Sequence, residues 1–351
     1  MASQGIIHGG LKYRLGASRE DVHPVLEQMP GLWRSCLSGS GPVDLSNTQV
    51  NSPDLLLWGR KGLRARLTAF AASQWLRGRV RTLEDDAIPE LLRDGGIGRG
   101  PVLSLDDFVV DIPSLLRNLA GNHCERIAPA GTRSIEVTPA GLSLSLPGCA
   151  QPLVPRHLVL CAGAGNEALL AQLPFETPAM QRRPLRQVMV QHPDLPELYG
   201  HELGIGSRPA LTVTSHDSRD GERVWYLGGA LAERGASLEE AECVDEARGF
   251  LQTSFPGLPW HQARWSTLLV DRAEPAQAQG NRPAGGYCRH LGVVGETSVI
   301  VAWPTKLSLV PDLAEQCEAL LQPGTGAQTP APEFTHRSDW QFAPAPWEAA
   351  L

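Results

Sequence analysis

The sequence of 351 residues has few lysines and no cysteine pattern that suggests a metal site or a disulfide framework. Lysine occurs only at Lys12, Lys61 and Lys306, and the other basic side chains are arginines. No two of the seven cysteines have the CxxC spacing of a zinc or thioredoxin-type motif. An odd number of widely spaced cysteines is typical of reduced thiols in a cytosol. We therefore expect no metal and a cytoplasmic location.

Long apolar runs and an excess of positive charge are absent as well. No run approaches the ~18 residues of a membrane-spanning helix, and the start of the chain has no charged segment followed by an apolar core, as a signal peptide would. The net charge of −7 disfavours a nucleic-acid partner, which needs a basic face. A small-molecule substrate is the expected partner, and peripheral contact with a membrane stays open.

Apolar periodicity predicts strands alternating with helices, and a hydrophobic content of 42% is enough for a sizeable core. Helices are predicted in 18–37 with a break near Pro30, in 63–76, in 88–92, after an N-cap at Asp111, and in 237–255 with Ser237 as N-cap. Strands are predicted in 48–58, 185–191, 210–216 and 223–233, and as two strands with a turn in 134–146. Residues 157–172 and 298–321 each join a strand to a helix, which predicts an α/β nucleotide-type domain with a largely antiparallel domain inserted.

One glycine-rich turn matches a dinucleotide-binding pattern. Gly163, Ala164 and Gly165 open the sequence GxGxxA between an apolar strand and a helix, where backbone N–H groups can approach a pyrophosphate. The acidic ribose ligand expected ~20 residues later is missing. The alternative is a turn that needs small residues only for packing.

Three further positions are candidates for chemistry. His8, between Ile7 and Gly9, suits a base beside a flat cofactor, or it is a solvent-exposed histidine near the chain start. Lys306 follows a strand and precedes a helix, where it favours an anion or lies in solvent. Arg272 is either a fork for a substrate carboxylate or phosphate, or a surface partner of an acidic neighbour.

The order of three motifs resembles the FAD-dependent superfamily of D-amino-acid-oxidase type, and within it the FAD-linked glycerol-3-phosphate dehydrogenases. "SQGIIHGGLKY" resembles the segment that passes over the flavin, "VLCAGAGNEALL" the later strand and turn, and "VAWPTKLSLVP" the C-terminal flavin loop with its KL(T/S) motif. The resemblance implies the following cofactor-binding residues: Gly5, Ile7, Gly9, Gly10, Gly163, Ala164, Gly165, Thr305, Lys306, Leu307 and Ser308.

The resemblance also implies a fold and a reaction. The fold is α/β, with a Rossmann-like FAD domain in 1–37, 104–178 and 286–322, a mainly antiparallel substrate domain in 38–103 and 179–285, and a Pro/Ala-rich tail in 323–351. FAD would oxidise a small, anionic hydroxy- or amino-substituted substrate by hydride transfer to N5 and pass the electrons to oxygen or a quinone-type acceptor. His8 and Arg272 are the candidate catalytic residues.

The family has a GxGxxG strand–turn–helix before the IHGG stretch, and this sequence begins with that stretch. We therefore expect a domain that lacks its first βαβ unit, through a misplaced start or a truncation. The alternative function is a non-catalytic remnant that does not bind FAD tightly. A nicotinamide-binding enzyme built on Gly163–Ala168 is a third possibility.

Overall fold

A computed structural model describes most of the chain. It covers residues 2–11, 24–59, 63, 67, 79–94, 100–127, 135–146, 151–204, 208–278, 283–321 and 341–351. The helix predicted for 63–76 lies outside the described residues, apart from its positions 63 and 67. The chain forms two compact units, the first from Met1–Leu115, Pro184–Asp271 and Ala343–Leu351, the second from Leu116–Arg183 and Arg272–Phe342.

Strands and helices alternate along the chain, as the sequence predicts. In order they are β1 Ile6–Ile7, α1 Met29–Leu37, β2 Val50–Ser52, β3 Leu55–Trp58, β4 Val80–Thr82, α2 Glu90–Asp94, β5 Leu103–Leu105, β6 Phe108–Val110, α3 Ile112–Gly121, β7 Ile135–Thr138, β8 Gly141–Leu144, β9 His157–Leu160, α4 Asn166–Leu170, β10 Met180–Gln191, β11 Gly200–Leu203, β12 Pro209–Asp217, β13 Arg223–Gly228, α5 Ala230–Gly235, α6 Glu240–Ser254, β14 Arg264–Pro275, β15 Tyr287–Val294, β16 Thr297–Trp303, α7 Val310–Leu320 and α8 Pro346–Ala350.

A mainly antiparallel sheet dominates the first unit. Its strand order is β14-β10-β13-β12-β11-β3-β5-β4, and the pair β11 and β3 is parallel. Alternate residues of β12, such as Leu211 and Val213, join one apolar cluster with Ala247 and Leu251 of α6. Helix α6 therefore covers one face of the sheet, which explains why apolar residues alternate along these strands.

The opposite face of the same strands is polar and still buried. Residues in this position include Gln187, His201, Thr212, Thr214 and His216. Buried polar groups are stable only when they are hydrogen-bonded, and His201 Nδ1 lies 2.9 Å from Thr212 Oγ1 while His216 Nε2 lies 3.1 Å from Thr214 Oγ1. A second, three-stranded sheet of the first unit has the order β1-β6-β2.

The second unit contains a smaller mixed sheet. Its sheet has the order β15-β16-β9, with β16 and β9 parallel and β15 antiparallel to β16. Helix α4 follows β9 after a turn, and α7 packs against β15 and β16. Strands β7 and β8 form a separate hairpin, at the turn predicted for 139–141.

Several element ends differ from the prediction. Pro30 lies in the first turn of α1, where its missing N–H costs nothing, so it starts the helix rather than breaking it. Glu239 is the N-cap of α6 in a capping box with Glu242, whereas Ser237 donates to the carbonyl of Arg234. The strand predicted for 223–233 ends at Gly228, and the rest of that segment belongs to α5. By contrast, Asp111 Oδ2 accepts from Ser114 N at 2.7 Å, which confirms the predicted cap of α3.

The division into units also differs from the predicted domain boundaries. The structure groups residues 1–37 with the large sheet, because β1 pairs with β6 and not with the β9–β16 sheet. The end of the predicted loose tail is ordered, since Trp347 of α8 is buried in a cluster with Met189 and Tyr226. Residues 323–340 of that tail lie outside the described residues.

The buried imidazole of His216 makes stability depend on pH. Burial lowers the pKa of His216 to about 3, and its ring stacks on Trp347 at a centroid distance of 3.9 Å. The unfolded chain binds a proton there below pH ~6.5, so folding stability falls as the pH drops from that value toward 3. His216→Phe keeps a ring against Trp347 and removes the titration. We expect wild type to lose about 1–3 kcal/mol more than this variant between pH 6.5 and 4.5 in urea unfolding.

The exposed His261 serves as control, because His261→Phe should leave the pH dependence of wild type unchanged. Equal pH slopes for wild type and His216→Phe would show that His216 is not buried in a neutral form.

Candidate functional site

The segment around His8 is fixed inside the first unit. Ile6 and Ile7 pair with Val109 and Phe108, and the side chain of Ile7 is fully buried. His8 is only 6% exposed, so it is not a solvent-exposed histidine. The pairing with β6 explains this, because it draws the start of the chain into the core.

Gly9 allows a close approach that no other residue permits. Its N–H donates to Asp107 Oδ1 at 2.9 Å, and a Cβ at this position would lie 1.6 Å from Nη2 of Arg79. The Arg79 guanidinium therefore rests directly on the glycine. Its Nη2 is buried without a hydrogen bond to any described residue, and Nη1 is 4.0 Å from Glu27 Oε2. Arg79 belongs to no sequence motif, so analysis of the sequence did not single it out.

The residues that precede His8 lie on the polar face of the large sheet. Gln4 Nε2 donates to the carbonyl of Tyr226 at 2.8 Å, and the Tyr226 hydroxyl donates to Gln187 Oε1 at 2.6 Å. Burial raises the pKa of Tyr226 above its usual range, so the hydroxyl stays protonated. The segment 2–10 thus joins a buried polar network.

Two cavities of small-molecule size open on the first unit. One, of about 310 Å³, is lined in part by Tyr199, His216, Arg223 and Trp347. The other, of about 270 Å³, is lined in part by Arg79. Cavities of this size suit a small ligand.

In the second unit, the Gly163 turn is a short 3-10 helix that leads into α4. Gly163 has φ +58°, and no described atom lies within 4 Å of its ideal Cβ position. Asn166 is fully buried: its Oδ1 accepts from Ala162 N at 2.8 Å, and its Nδ2 donates to the carbonyls of Leu160 and Ala302. The turn is therefore held by a side chain inside it, a feature that the glycine pattern does not show.

The loop after β16 has a strained backbone and a fixed lysine. Thr305 has φ +59°, which is costly for a β-branched residue, and its hydroxyl donates to the carbonyl of Gly285 at 2.8 Å. Lys306 Nζ donates to the carbonyls of Pro283 and Ala284, each at 2.9 Å. These contacts show that Lys306 is fixed to the neighbouring loop. Leu307 and Ser308 then begin a 3-10 turn, and Ser308 is buried.

Arg272 lies within β14, and its Nε donates to the carbonyl of Arg183 at 3.1 Å. Glu274, an acidic neighbour of Arg272 in the sequence, is instead bound by Arg183 and Gln181.

The candidate residues from the sequence are divided between the two units. The first unit contains Gly5, Ile7, His8, Gly9 and Gly10, and the second contains Gly163, Ala164, Gly165, Arg272, Thr305, Lys306, Leu307 and Ser308.

No protein-family model matches the sequence. The chain is 43% identical over 322 residues to the probable FAD-dependent oxidoreductase PA4991 of Pseudomonas aeruginosa, a match that covers 91% of this chain and 80% of that protein. The crystal structure of PA4991 aligns with a TM-score of 0.75, over 95% of this chain and 85% of that one.

More distant solved structures share the fold. Glycine oxidase from Geobacillus kaustophilus has a TM-score of 0.58 at 15% identity, over 90% of this chain and 84% of that one. L-alpha-glycerophosphate oxidase from Mycoplasma pneumoniae, with FAD bound, has a TM-score of 0.59 at 11% identity, over 91% and 83%.

The chain belongs to the family of FAD-dependent oxidoreductases. FAD is its cofactor, and an enzyme is favoured over the non-catalytic remnant. The residues present fit parts of this cofactor. In the first unit, Arg79 places a cation with a buried Nη2 beside a glycine, which suits an anionic group. In the second unit, Gly163 leaves open space beside its turn, which suits a flat group.

Metal-binding clusters and membrane-spanning helices are absent from the described part of the chain. Nowhere in it do three histidine, cysteine or acidic side chains come together in a way that could hold a metal ion. Among its helices, none has both the length and the apolar character needed to cross a membrane.

The contact between Gly9 and Arg79 can be tested with a double-mutant cycle. Gly9→Ala should displace the guanidinium and destabilise the first unit by about 1–3 kcal/mol in urea unfolding. In an Arg79→Ala background the same change should cost at least ~1 kcal/mol less, because the overlapping group is gone. Gly31→Ala is the control, since open space surrounds Gly31 on α1. Additive effects of the two changes would contradict the contact.

Proposed function

We propose that the protein oxidises a small, anionic substrate at a carbon that carries a hydroxyl or amino group, by hydride transfer to flavin N5. The observation that carries this proposal is the buried His8, which lies between the core residue Ile7 and a glycine whose N–H donates to Asp107. Bound FAD supplies the two-electron oxidation, which no side chain can perform.

His8 is the proposed base. An imidazole can accept the proton of a substrate hydroxyl or ammonium group while the adjacent C–H bond is broken. The short strand β1 and the Gly9–Asp107 bond hold the backbone on both sides of His8 in place.

Lys306 is the proposed source of positive charge beside the flavin ring at N1 and C2=O. Two carbonyl groups accept hydrogen bonds from the ammonium group and hold it in place. Because these carbonyls carry no net charge, they do not neutralise the positive charge of Lys306. The glycines of segments 5–10 and 163–165, together with Ile7, Ala164, Thr305, Leu307 and Ser308, are the proposed cofactor contacts. We also propose that residues 1–37 contribute to the cofactor-binding domain.

The names of the structural neighbours agree with a small anionic substrate. One neighbour is a glycine oxidase and another a glycerophosphate oxidase, and both names describe small substrates that carry an anionic group. Arg272 is the proposed partner of that anion, although its Nε is already bound to a carbonyl and only the other guanidinium nitrogens are proposed to take part. Oxygen or a quinone-type compound is the proposed electron acceptor, and a cytoplasmic location is proposed with it.

The substrate class can be tested by anaerobic bleaching of the flavin absorbance. The FAD-loaded protein is mixed with glycine, sarcosine, L-proline, glycerol 3-phosphate and lactate, and with glycerol and ethylamine as uncharged-tail controls. Bleaching by an anionic member and not by the controls is expected. Bleaching by neither group would contradict the proposed substrate class.

His8→Gln should slow flavin reduction by substrate on the order of 10²-fold or more, because the base is lost and a polar side chain of similar length remains. FAD content, read from absorbance released on denaturation, should stay near one per chain. Stopped-flow reduction at saturating substrate measures the effect. A normal rate of reduction would make His8 a packing residue.

Lys306→Met should lower the midpoint potential of the bound flavin, because a positive charge near N1 favours the electron-rich reduced state. Lys306→Arg keeps the charge, so its midpoint potential should differ from that of wild type by less than a third of the shift in Lys306→Met. Dye-coupled redox titration measures both variants. Equal potentials in wild type and Lys306→Met would mean that only the backbone of this loop matters.

A further inference from the structure

Two cysteine thiols of the second unit are in direct contact. Cys288 lies on β15 and Cys317 on α7, and their sulfur atoms are 3.1 Å apart. The contact joins the strand and the helix across 29 positions of sequence. Both side chains are half-buried, so small reagents reach the pair at its exposed side.

A third thiol lies close by and differs in its exposure. Val301 pairs with Leu160, the last residue of β9, and Ala302 pairs with Cys288 of β15, so Cys161, one residue beyond β9, and Cys288 lie on opposite sides of β16 near Ala302. Cys161 is exposed. The other described cysteines, Cys36, Cys124 and Cys243, have no such contact with a second sulfur among the described residues.

We propose that Cys288 and Cys317 form a modification site that a peroxide converts into an intramolecular disulfide. One thiol is oxidised to a sulfenic acid as the O–O bond of the peroxide breaks and one water is released. The second thiol then attacks that sulfur, the S–S bond forms, and the sulfenic oxygen leaves as a second water. The pair loses two electrons and two protons, and the peroxide is reduced to two waters.

Geometry favours this pair over every other combination in the described chain. A disulfide needs its sulfur atoms about 2.05 Å apart, so they must approach by roughly 1 Å. The new bond would tie α7 to β15. Since α7 follows directly on the loop that contains Thr305 and Lys306, the bond would also limit movement of that loop.

The Cys288 thiol is held in its protonated form at neutral pH, which slows its oxidation. Burial, followed by the hydrogen bond to Cys317, raises the pKa of Cys288 to about 12. Because thiolates react with peroxide and thiols do not, the disulfide should form slowly at pH 7 and several-fold faster at pH 9.

Peptide mapping of the full-length protein tests the site. The reduced chain is treated with hydrogen peroxide at pH 8, its free thiols are blocked, and the digest is analysed by mass spectrometry. A linked peptide that contains Cys288 and Cys317 is expected, together with an apparent melting temperature raised by about 5 °C. Added peroxide makes the test independent of whether the enzyme itself uses oxygen as acceptor.

Two variants test whether the disulfide joins Cys288 to Cys317 or involves Cys161. Cys161→Ser should still form the bond between Cys288 and Cys317, whereas Cys317→Ser should form none and show no gain in melting temperature. The proposal would be overturned if Cys288 and Cys317 were found blocked and unlinked after oxidation, or if either were linked to Cys161 instead. If Cys317→Ser fails to fold, the wild-type peptide map and the Cys161→Ser variant still decide.

Discussion

The hydrogen bond between Gly9 N and Asp107 Oδ1 is the constraint on which the arrangement of the first unit depends. It joins residues 98 positions apart at 2.9 Å, and it is fully buried. An uncompensated carboxylate in that place would be costly, so Asp107 and the glycine segment require each other. The bond brings the start of the chain onto β6, and any side chain at position 9 would have to displace the Arg79 guanidinium. The backbone on both sides of His8 is thereby fixed within the first unit.

The large sheet separates packing from chemistry by its two faces. One face is closed by α6 with Val213, Trp225 and Leu251 in a single apolar cluster, which supplies the burial energy. The other face carries histidines and threonines that are buried in pairs. Polar side chains on a buried face contribute little to stability. Met189, Tyr226 and Trp347 pack on the same face, so the paired polar groups are enclosed by apolar side chains there.

The sequence predicted those features that depend on local pattern, and it missed those that depend on contacts between distant segments. Strand alternation in β12 and the cap at Asp111 are local, and both are confirmed. The cap of α6 was assigned to Ser237 because serine is the commoner N-cap, but Glu239 forms a reciprocal pair with Glu242 instead. Arg79 belongs to no motif, and only the fold places it on Gly9. The sequence therefore pointed to His8 and Gly9, and it did not point to the arginine that packs against Gly9.

The Gly163 turn shows why a single glycine motif is a weak guide to function. Its pattern suits a pyrophosphate loop, yet Asn166 fills the inside of the turn with three backbone hydrogen bonds, and α4 extends for only five residues. A nicotinamide-binding enzyme built on this turn would need its N–H groups turned toward a ligand, and Ala162 N is already bound. The order of three motifs carried more information than any one of them, because a shared order reflects a shared fold. The relation to PA4991 supports that reasoning, since family membership rests on nearly the whole chain rather than on a turn.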